Sequence, residues 1–587
     1  MKDFQNPNNQ DTTGRMLLAF ALTFVVILVT QQFMAKYYKK PEPQSGAPAA
    51  VQTPPPVDAT GPAPAPAAQR SPATPRGSKQ GSSESEVVVE NEFYRLTFTN
   101  KGAQVKSWIL KKYTDDLGKP LELVNTIAAP QYGYPLSLYT YNKDLGSKLN
   151  SALFVQEGGT KAAATMQAPA VLTFEYNEGG IAAYKKFSFY PHSYEVAVET
   201  SVTQGGSQVA AYPMWPAGFG DQTIPASYAT ARVDVERSDK IERIAYKKVT
   251  GGATIAGPFL WAGTMDQYFA TVFLPDDPNS TALVSLHNTI DIPKNLDKPD
   301  PNEHDNVSVL GAAVGNPNGT TRERVFVGPK ALDVLATVHP NQAPGAPSGR
   351  NLEGLVDFGM FSIVSRSLFL WLKWTYEHWI HNYGWAILIL TVIINVALLP
   401  LRISGMKSAL KMQKIQPQLK AINDKYRQYK LTDPRQADKN REIQELHKRE
   451  GVNPIGGCFP TLLQLPFLWA FYTMLGIAIE LRHAPWLWLH DLAGPDPHHL
   501  LNILFIASMF AMQTMTPQGG MDPAQQKVMQ VAMPIMLGVF TWKLSAGLVL
   551  YWAAGNLIGI VQQQMFNRTS FGREMRVVMQ KRAQKTR

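Results

Sequence analysis

Six stretches of this sequence are apolar enough to be read as bilayer-crossing helices, which limits the chain to folds built around a membrane. They are residues 16–35, 385–401, 457–479, 500–515, 528–543 and 548–564. A helix rises 1.5 Å per residue, so about 20 residues cross a hydrocarbon layer of about 30 Å. Segments 500–515 and 528–543 are shorter than that and would require the bilayer to thin around them. The mean hydropathy of the whole chain is slightly negative and hides these spans, because they are concentrated at the N-terminus and in the last third.

Charge orients the spans. The net charge is +10, and the excess of Lys and Arg sits in residues 402–449 and 568–587, beside apolar segments. Basic blocks in that position are better read as cytoplasmic loops than as nucleic-acid sites. Six crossings bring the chain back to its starting side, so residues 1–15, the segment 402–452 and the tail 565–587 all belong to the cytoplasm. The loop 480–499 carries Glu480, Asp491 and Asp496 against Arg482 alone, which suits an exported loop. Lys36, Lys39 and Lys40 oppose this orientation mildly, but long domains translocate largely regardless of charge.

The first span ends in Gln31, Gln32, Phe33, Met34 and Lys36 with no small-x-small cleavage site, so an uncleaved anchor is expected rather than a removable signal. Residues 36–85, rich in Pro and Ala, bury too little apolar surface to fold and read as a tether. From residue 86 to 345 the apolar period becomes two, as where Tyr194, Val196 and Val198 alternate with Glu195, Ala197 and Glu199. Turn signals at Asn100-Lys101-Gly102 and Asp276-Asp277-Pro278 punctuate it, so an antiparallel sandwich of many strands is expected. Cys458 is the sole cysteine, and this domain must hold together without a disulfide. Residues 352–380 mix bulky apolar with basic and polar side chains; the pattern suits an amphipathic helix in the membrane interface or a helix packed on the sandwich. Segment 402–452 reads as two charged helices joined near Thr432-Asp433-Pro434, a cytoplasmic hairpin.

Several motifs carry a family resemblance. The segment 453–466 (NPIGGCFPTLLQLP) resembles the signature at the start of the third span in the YidC/Oxa/Alb insertase family. It is joined in the same order by 480–485 (ELRHAP) with Trp488 and Asp491, by Asp522-Pro523 with Gln525, Gln526 and Lys527, and by 545–552 (SAGLVLYW) with Asn556, Gln562 and Gln563. Upstream, Trp261-Ala262-Gly263, 325–329 (VFVGP) and 356–359 (VDFG) are similar to the Gram-negative members. The resemblance covers nearly the whole chain except the tether. It implies a polytopic α-helical protein of the bacterial inner membrane, with six transmembrane helices, a large all-β periplasmic supersandwich domain and a cytoplasmic helical hairpin. The implied activity is insertion, folding and assembly of integral membrane proteins, alone or with the Sec translocon, through a hydrophilic groove open to the cytoplasm and to lipid. The implied partners are nascent membrane proteins, Sec translocon components, the ribosome and signal recognition machinery, and membrane lipids.

Candidates for the groove are the polar residues in or near the ends of apolar spans: Thr391, Asn395, Gln464, Gln513, Asn556 and Gln562. Each could equally serve as a hydrogen-bonding tie between helices. Related insertases usually carry Arg or Lys in the second span, and the matching position here is Asn395. Arg402 falls on nearly the same helical face about two turns nearer the cytoplasm, so it could snorkel toward the groove mouth and supply the missing charge. The plainer reading, a positive-inside flank with Pro400 disturbing the helix between, is favoured from sequence. Trp552 stands where the family has a substrate-contacting tyrosine, and could line an apolar slide or face lipid. The basic tail could meet ribosomal RNA or anionic lipid.

No catalytic, cofactor or metal constellation is expected. Glu377-His378 with His381, and the pair His498-His499, match no zinc motif, and neither a Gly-x-Ser-x-Gly elbow nor a P-loop occurs. The alternative to an insertase is a periplasmic carbohydrate-binding or receptor protein held by a bundle of anchors.

Overall fold

The structure is a computed structural model that describes residues 77–116, 118–157, 165–221, 228–237, 240–294, 300, 302–340, 350–429, 433–451, 459–515, 523–570, 572–573 and 577. The anchor at 16–35 and most of the tether lie outside the described residues. By contacts, residues 75–520 with 530–587 form one compact unit.

The alternation read between residues 86 and 345 produces three sheets. The largest runs, from one edge, through Lys240–Ala245, Arg232–Arg237, Trp261–Met265, Phe269–Pro275, Thr321–Pro329, Glu195–Gln204, Ile181–Phe189, Ala170–Glu178 and Val155–Glu157, with Ser207–Val209 paired off this path. A second holds Pro120–Glu122, Gln104–Thr114, Tyr94–Thr99, Glu86–Glu90 and Met166–Gln167; a third holds Thr254–Ala256, Ala282–Pro293, His304–Gly315, Ala211–Trp215 and Ser137–Thr140. Among the described ladders only Glu86–Glu90 with Met166–Gln167 is parallel, a departure from the all-antiparallel expectation. Pairing also begins upstream of residue 86. Lys79 and Asn177 exchange backbone hydrogen bonds of 2.9 and 2.8 Å, and Gly81 N donates to Leu153 O at 2.8 Å, so the end of the Pro/Ala-rich segment is held on the sandwich.

Apolar burial fills this domain, with Trp108, Trp215 and Trp261 essentially inaccessible to solvent and Trp108 packed edge-on against Trp215 at 5.8 Å. Strand Ile181–Phe189 buries every second residue, and one of its inward positions is Lys185. Its ammonium donates to Gly102 O at 3.0 Å, Ala103 O at 2.6 Å and Leu136 O at 2.6 Å. All three ammonium protons therefore find acceptors where water cannot reach, which satisfies a group whose burial would otherwise be costly.

Among the described residues eight α-helices follow: α1 (Ser362–His378), α2 (Tyr383–Ala397), α3 (Leu399–Lys425), α4 (Arg435–Arg449), α5 (Phe459–Ile477), α6 (Leu500–Met515), α7 (Pro523–Thr541) and α8 (Ala546–Arg568). The segment 385–401, read as one span, is broken: α2 ends at Ala397, and the chain bends by 50° into α3. Pro400 explains the break, because it lacks the N–H that would continue the ladder and is favoured in a helix's first turn. Among the described residues no single helix is long and apolar enough to cross a membrane, but the bent pair α2–α3 passes that test together. α3 and α4 form the helical hairpin.

Large apolar residues in this half face outward as well as into its core. Ile393 and Val396 on α2, Ile503 and Phe510 on α6, Ile535, Val539 and Phe540 on α7, and Leu557, Val561 and Met565 on α8 are all exposed. α1 buries Leu368, Phe369 and Leu372 against the helices and exposes Ile363, Trp371 and Trp374. An apolar surface this extensive needs a nonaqueous environment.

The two halves meet through the 480–499 loop. Arg482 Nη1 donates to Thr114 O at 2.6 Å, His483 contacts Thr114 Oγ1 and Asp116 Oδ1, each at 3.1 Å, and Gln267 Nε2 donates to Gly476 O at 2.7 Å. Replacing Lys185 by Met would leave three buried carbonyls without donors, so Lys185→Met should destabilise the β-rich domain by about 3 kcal/mol, read as a lower urea midpoint for loss of buried-tryptophan fluorescence.

Candidate functional site

Polar side chains of α2, α3 and α8 form one connected line inside the apolar shell. Its start is local to α2: Thr391 Oγ1 donates to Ile387 O at 2.6 Å, and Asn395 Nδ2 donates to Thr391 O at 2.8 Å. Both residues are buried. Asn395 O belongs to the last turn of α2, where the helix no longer supplies every carbonyl with an N–H partner. Gln562 Nε2 of α8 donates to this carbonyl at 3.3 Å, and its Oε1 accepts from Arg402 Nη1 at 2.7 Å. Gln562 therefore bridges the two sides of the break, joining the end of α2 to the start of α3.

Glycine makes room for the cation. A Cβ at Gly559 would lie 3.1 Å from Arg402 Nη1 and 3.0 Å from Met512 Cε, a tight fit, so the bare backbone of α8 eases the close approach of the guanidinium. No carboxylate pairs with Arg402 among the described residues, and α2, α5, α6, α7 and α8 contain no Asp or Glu. The site thus holds a positive charge with a neutral amide partner, and its field is not cancelled locally.

The other candidates separate. Asn556 Nδ2 donates to Ser508 Oγ at 3.3 Å and ties α8 to α6. Trp552 packs on Phe505 of α6, ring centroids 5.6 Å apart, with its Nε1 buried and unpartnered; its neighbour Tyr551 stacks on Phe471 of α5 at 4.0 Å. Gln513 Oε1 is buried without a partner and does not join the line. The side chain of Gln464 lies outside the described residues.

Sequence reading missed four participants. Ser508 is the acceptor for Asn556, Asn502 Nδ2 donates to Thr541 Oγ1 at 3.0 Å between α6 and α7, and Gln563 is fully buried beside Gln562. These were legible as polar residues within or at the ends of apolar runs, the same signal that selected the others.

The family described as 60Kd inner membrane protein matches residues 374–573, and the YidC periplasmic domain matches residues 86–371. The membrane protein insertase YidC of Geobacter metallireducens is 32% identical over 507 residues, covering 82% of this chain and 86% of that protein. The chain belongs to the YidC family of membrane protein insertases. Its relative from Syntrophus aciditrophicus is 30% identical over 585 residues, covering 94% of this chain and 99% of that protein. A crystal structure of an active YidC insertase with its first transmembrane domain resolved is similar at 18% identity and a TM-score of 0.33, covering 84% of this chain and 94% of that one. The β-rich part is the family's periplasmic domain, and the helical C-terminal part is its inner membrane region.

The hydrogen bonds rank the ties. Gln562→Leu removes the partner of a charged donor, so it should cost about 1.5–3 kcal/mol and lower the thermal midpoint in detergent, whereas Asn556→Ala, which loses a longer bond between neutral groups, should cost about 1 kcal/mol or less.

Proposed function

We propose that this member of the family inserts and helps fold integral membrane proteins through a groove whose polar wall is the line Thr391, Asn395, Gln562 and Arg402, with Gln513, Trp552 and Asn556 as neighbouring contributors and Gln464 a further candidate from sequence. The observation that carries the reading is Arg402 held by Gln562 inside a bundle whose outer surface is apolar. A charge carried to the centre of a bilayer costs several kcal/mol on insertion scales. A partly hydrated wall with an uncancelled positive charge lowers that cost for the polar, acidic flank of an incoming segment, because the flank exchanges water for protein hydrogen bonds over part of its path. Trp552 and Phe505 offer an apolar face for the segment itself.

In this reading the break at Leu398 lets Arg402 serve where the family has a cation at the position of Asn395. The bent pair α2–α3 crosses the membrane and continues into the hairpin on the cytoplasmic side. α5, α6, α7, α8 and an N-terminal anchor complete a multi-pass arrangement with both termini in the cytoplasm and the β-rich domain in the periplasm. The exposed apolar belt supports it, as does the contact between the 480–499 loop and the β-rich domain, which keeps both on one side. α1, with Trp371, Trp374 and Trp379 exposed, suits the interface. Nascent membrane proteins are the clients, delivered by ribosomes or signal recognition machinery to the basic hairpin and tail or received from the Sec translocon, and membrane lipids are the surrounding partners.

Reconstitution tests this directly. Liposomes containing only the purified protein should protect the exported segment of a short single-span client from protease, above empty liposomes. Arg402→Ala should reduce the protected fraction about tenfold, equivalent to 1.4 kcal/mol, while Arg402→Lys retains most of it. Unchanged protection in the alanine variant would remove Arg402 from the mechanism, and no protection by the unmodified protein would point to a translocon-dependent role.

A further inference from the structure

A cavity of about 870 Å³ lies where the β-rich domain meets the C-terminal part of α1 and the start of α2, and it shares no residue with the groove. Its walls are aromatic. Tyr113 and Tyr194 enter from the β-rich domain, and Tyr376 and Tyr383 from α1 and α2. The last two are stacked at 4.1 Å with their planes 5° apart, and Phe93 stacks on Tyr194 at 4.5 Å.

Its charge is unbalanced toward the negative. Lys373 Nζ lies 3.5 Å from Asp333 and 3.9 Å from Glu377, so one cation serves two carboxylates. Lys112 is tied to Glu92 at 2.6 Å, and Glu195 is ion-paired with Arg324. Glu480 also lines the cavity and has no ion-pair partner among the described residues, and its Oε1 is buried with no hydrogen-bond partner. Burial pushes this carboxyl up to about 7, with Lys373 offsetting and Asp333 adding to the effect.

The geometry points to a binding site for an ammonium-bearing ligand, held by the Glu480 carboxylate and the surrounding tyrosine rings. Aromatic faces carry negative quadrupole potential and attract cations most strongly where water is excluded. An ammonium group supplies the positive charge that Glu480 lacks, whereas a phosphate or carboxylate entering first would meet three acids against Lys373. The volume accommodates a phospholipid headgroup or a small free amine, and both present the same chemistry. The site neither uses nor requires the Arg402 line.

The test is native mass spectrometry of the full-length protein in detergent, titrated separately with dihexanoyl phosphatidylethanolamine, dihexanoyl phosphatidylglycerol and ethanolamine. Phosphatidylethanolamine should bind more tightly than phosphatidylglycerol. Glu480→Gln should weaken the former about tenfold and leave the latter unchanged, while Glu480→Asp stays within about threefold of the parent. Glu480-dependent binding of ethanolamine itself assigns a soluble amine; dependence seen only with the lipid assigns a headgroup. Should Glu480→Gln fail to fold, judged by its thermal midpoint, Tyr376→Leu removes a wall, keeps every carboxylate and carries the same expectation. Equal binding of the two lipids without a Glu480-dependent ethanolamine signal, or parent-like amine binding by folded Glu480→Gln, overturns the proposal.

Discussion

The helices of the C-terminal half carry large apolar residues on their outer faces, as Ile535, Val539 and Phe540 do on α7, so a polar group inside them is stabilised by a partner within the protein. An unmet donor or acceptor there costs a substantial part of a hydrogen bond's gross strength, since no water stands by to replace it. That requirement organises the interior. Thr391 and Asn395 turn their protons back onto their own helix, Asn502 and Asn556 reach hydroxyls on neighbouring helices, and Gln562 spends both ends of its amide on the two sides of a break.

The β-rich domain answers the opposite problem. It is surrounded by water, lacks disulfides, and relies on a large aromatic interior in which Lys185 is tolerated because three backbone carbonyls converge on it. Its attachment to the helices combines polar contacts, through Arg482, His483 and Gln267, with apolar packing in which Ile479 joins the β-rich interior and Leu332 the helical one. The directional bonds fix register at a junction that the apolar contacts also hold.

Much of this was legible from residue order alone, for identifiable reasons. Period-two alternation announces a sandwich whatever its strand order, because each strand must bury one face; the order itself depends on pairings such as Glu195–Gln204 with Thr321–Pro329, far apart in sequence. Apolar runs locate helices α5 to α8, but hydropathy is blind to the hydrogen-bond ladder, so the run through Leu401 concealed the break that Pro400 alone signalled. Arg402 was placed on a helical face shared with Asn395, and the plainer reading of an ordinary flank was preferred. In the structure its guanidinium hydrogen-bonds Gln562, a partner 160 positions away that no local pattern could nominate. Glu480 entered the sequence reading as a negative charge in a loop and as part of a family motif, and its confinement among tyrosines was not legible because those rings come from separate elements.

The break at Leu398 also has a mechanical meaning. α3 contains 27 residues and is about 40 Å long at 1.5 Å per residue, with Arg402 only about 6 Å from the pivot. A swing of about 10° about that pivot therefore carries the hairpin tip about 7 Å but displaces the start of α3 by about 1 Å. The geometry is that of a long lever with its cation beside the fulcrum: the far arm can sweep widely while the charge stays within reach of the same amide.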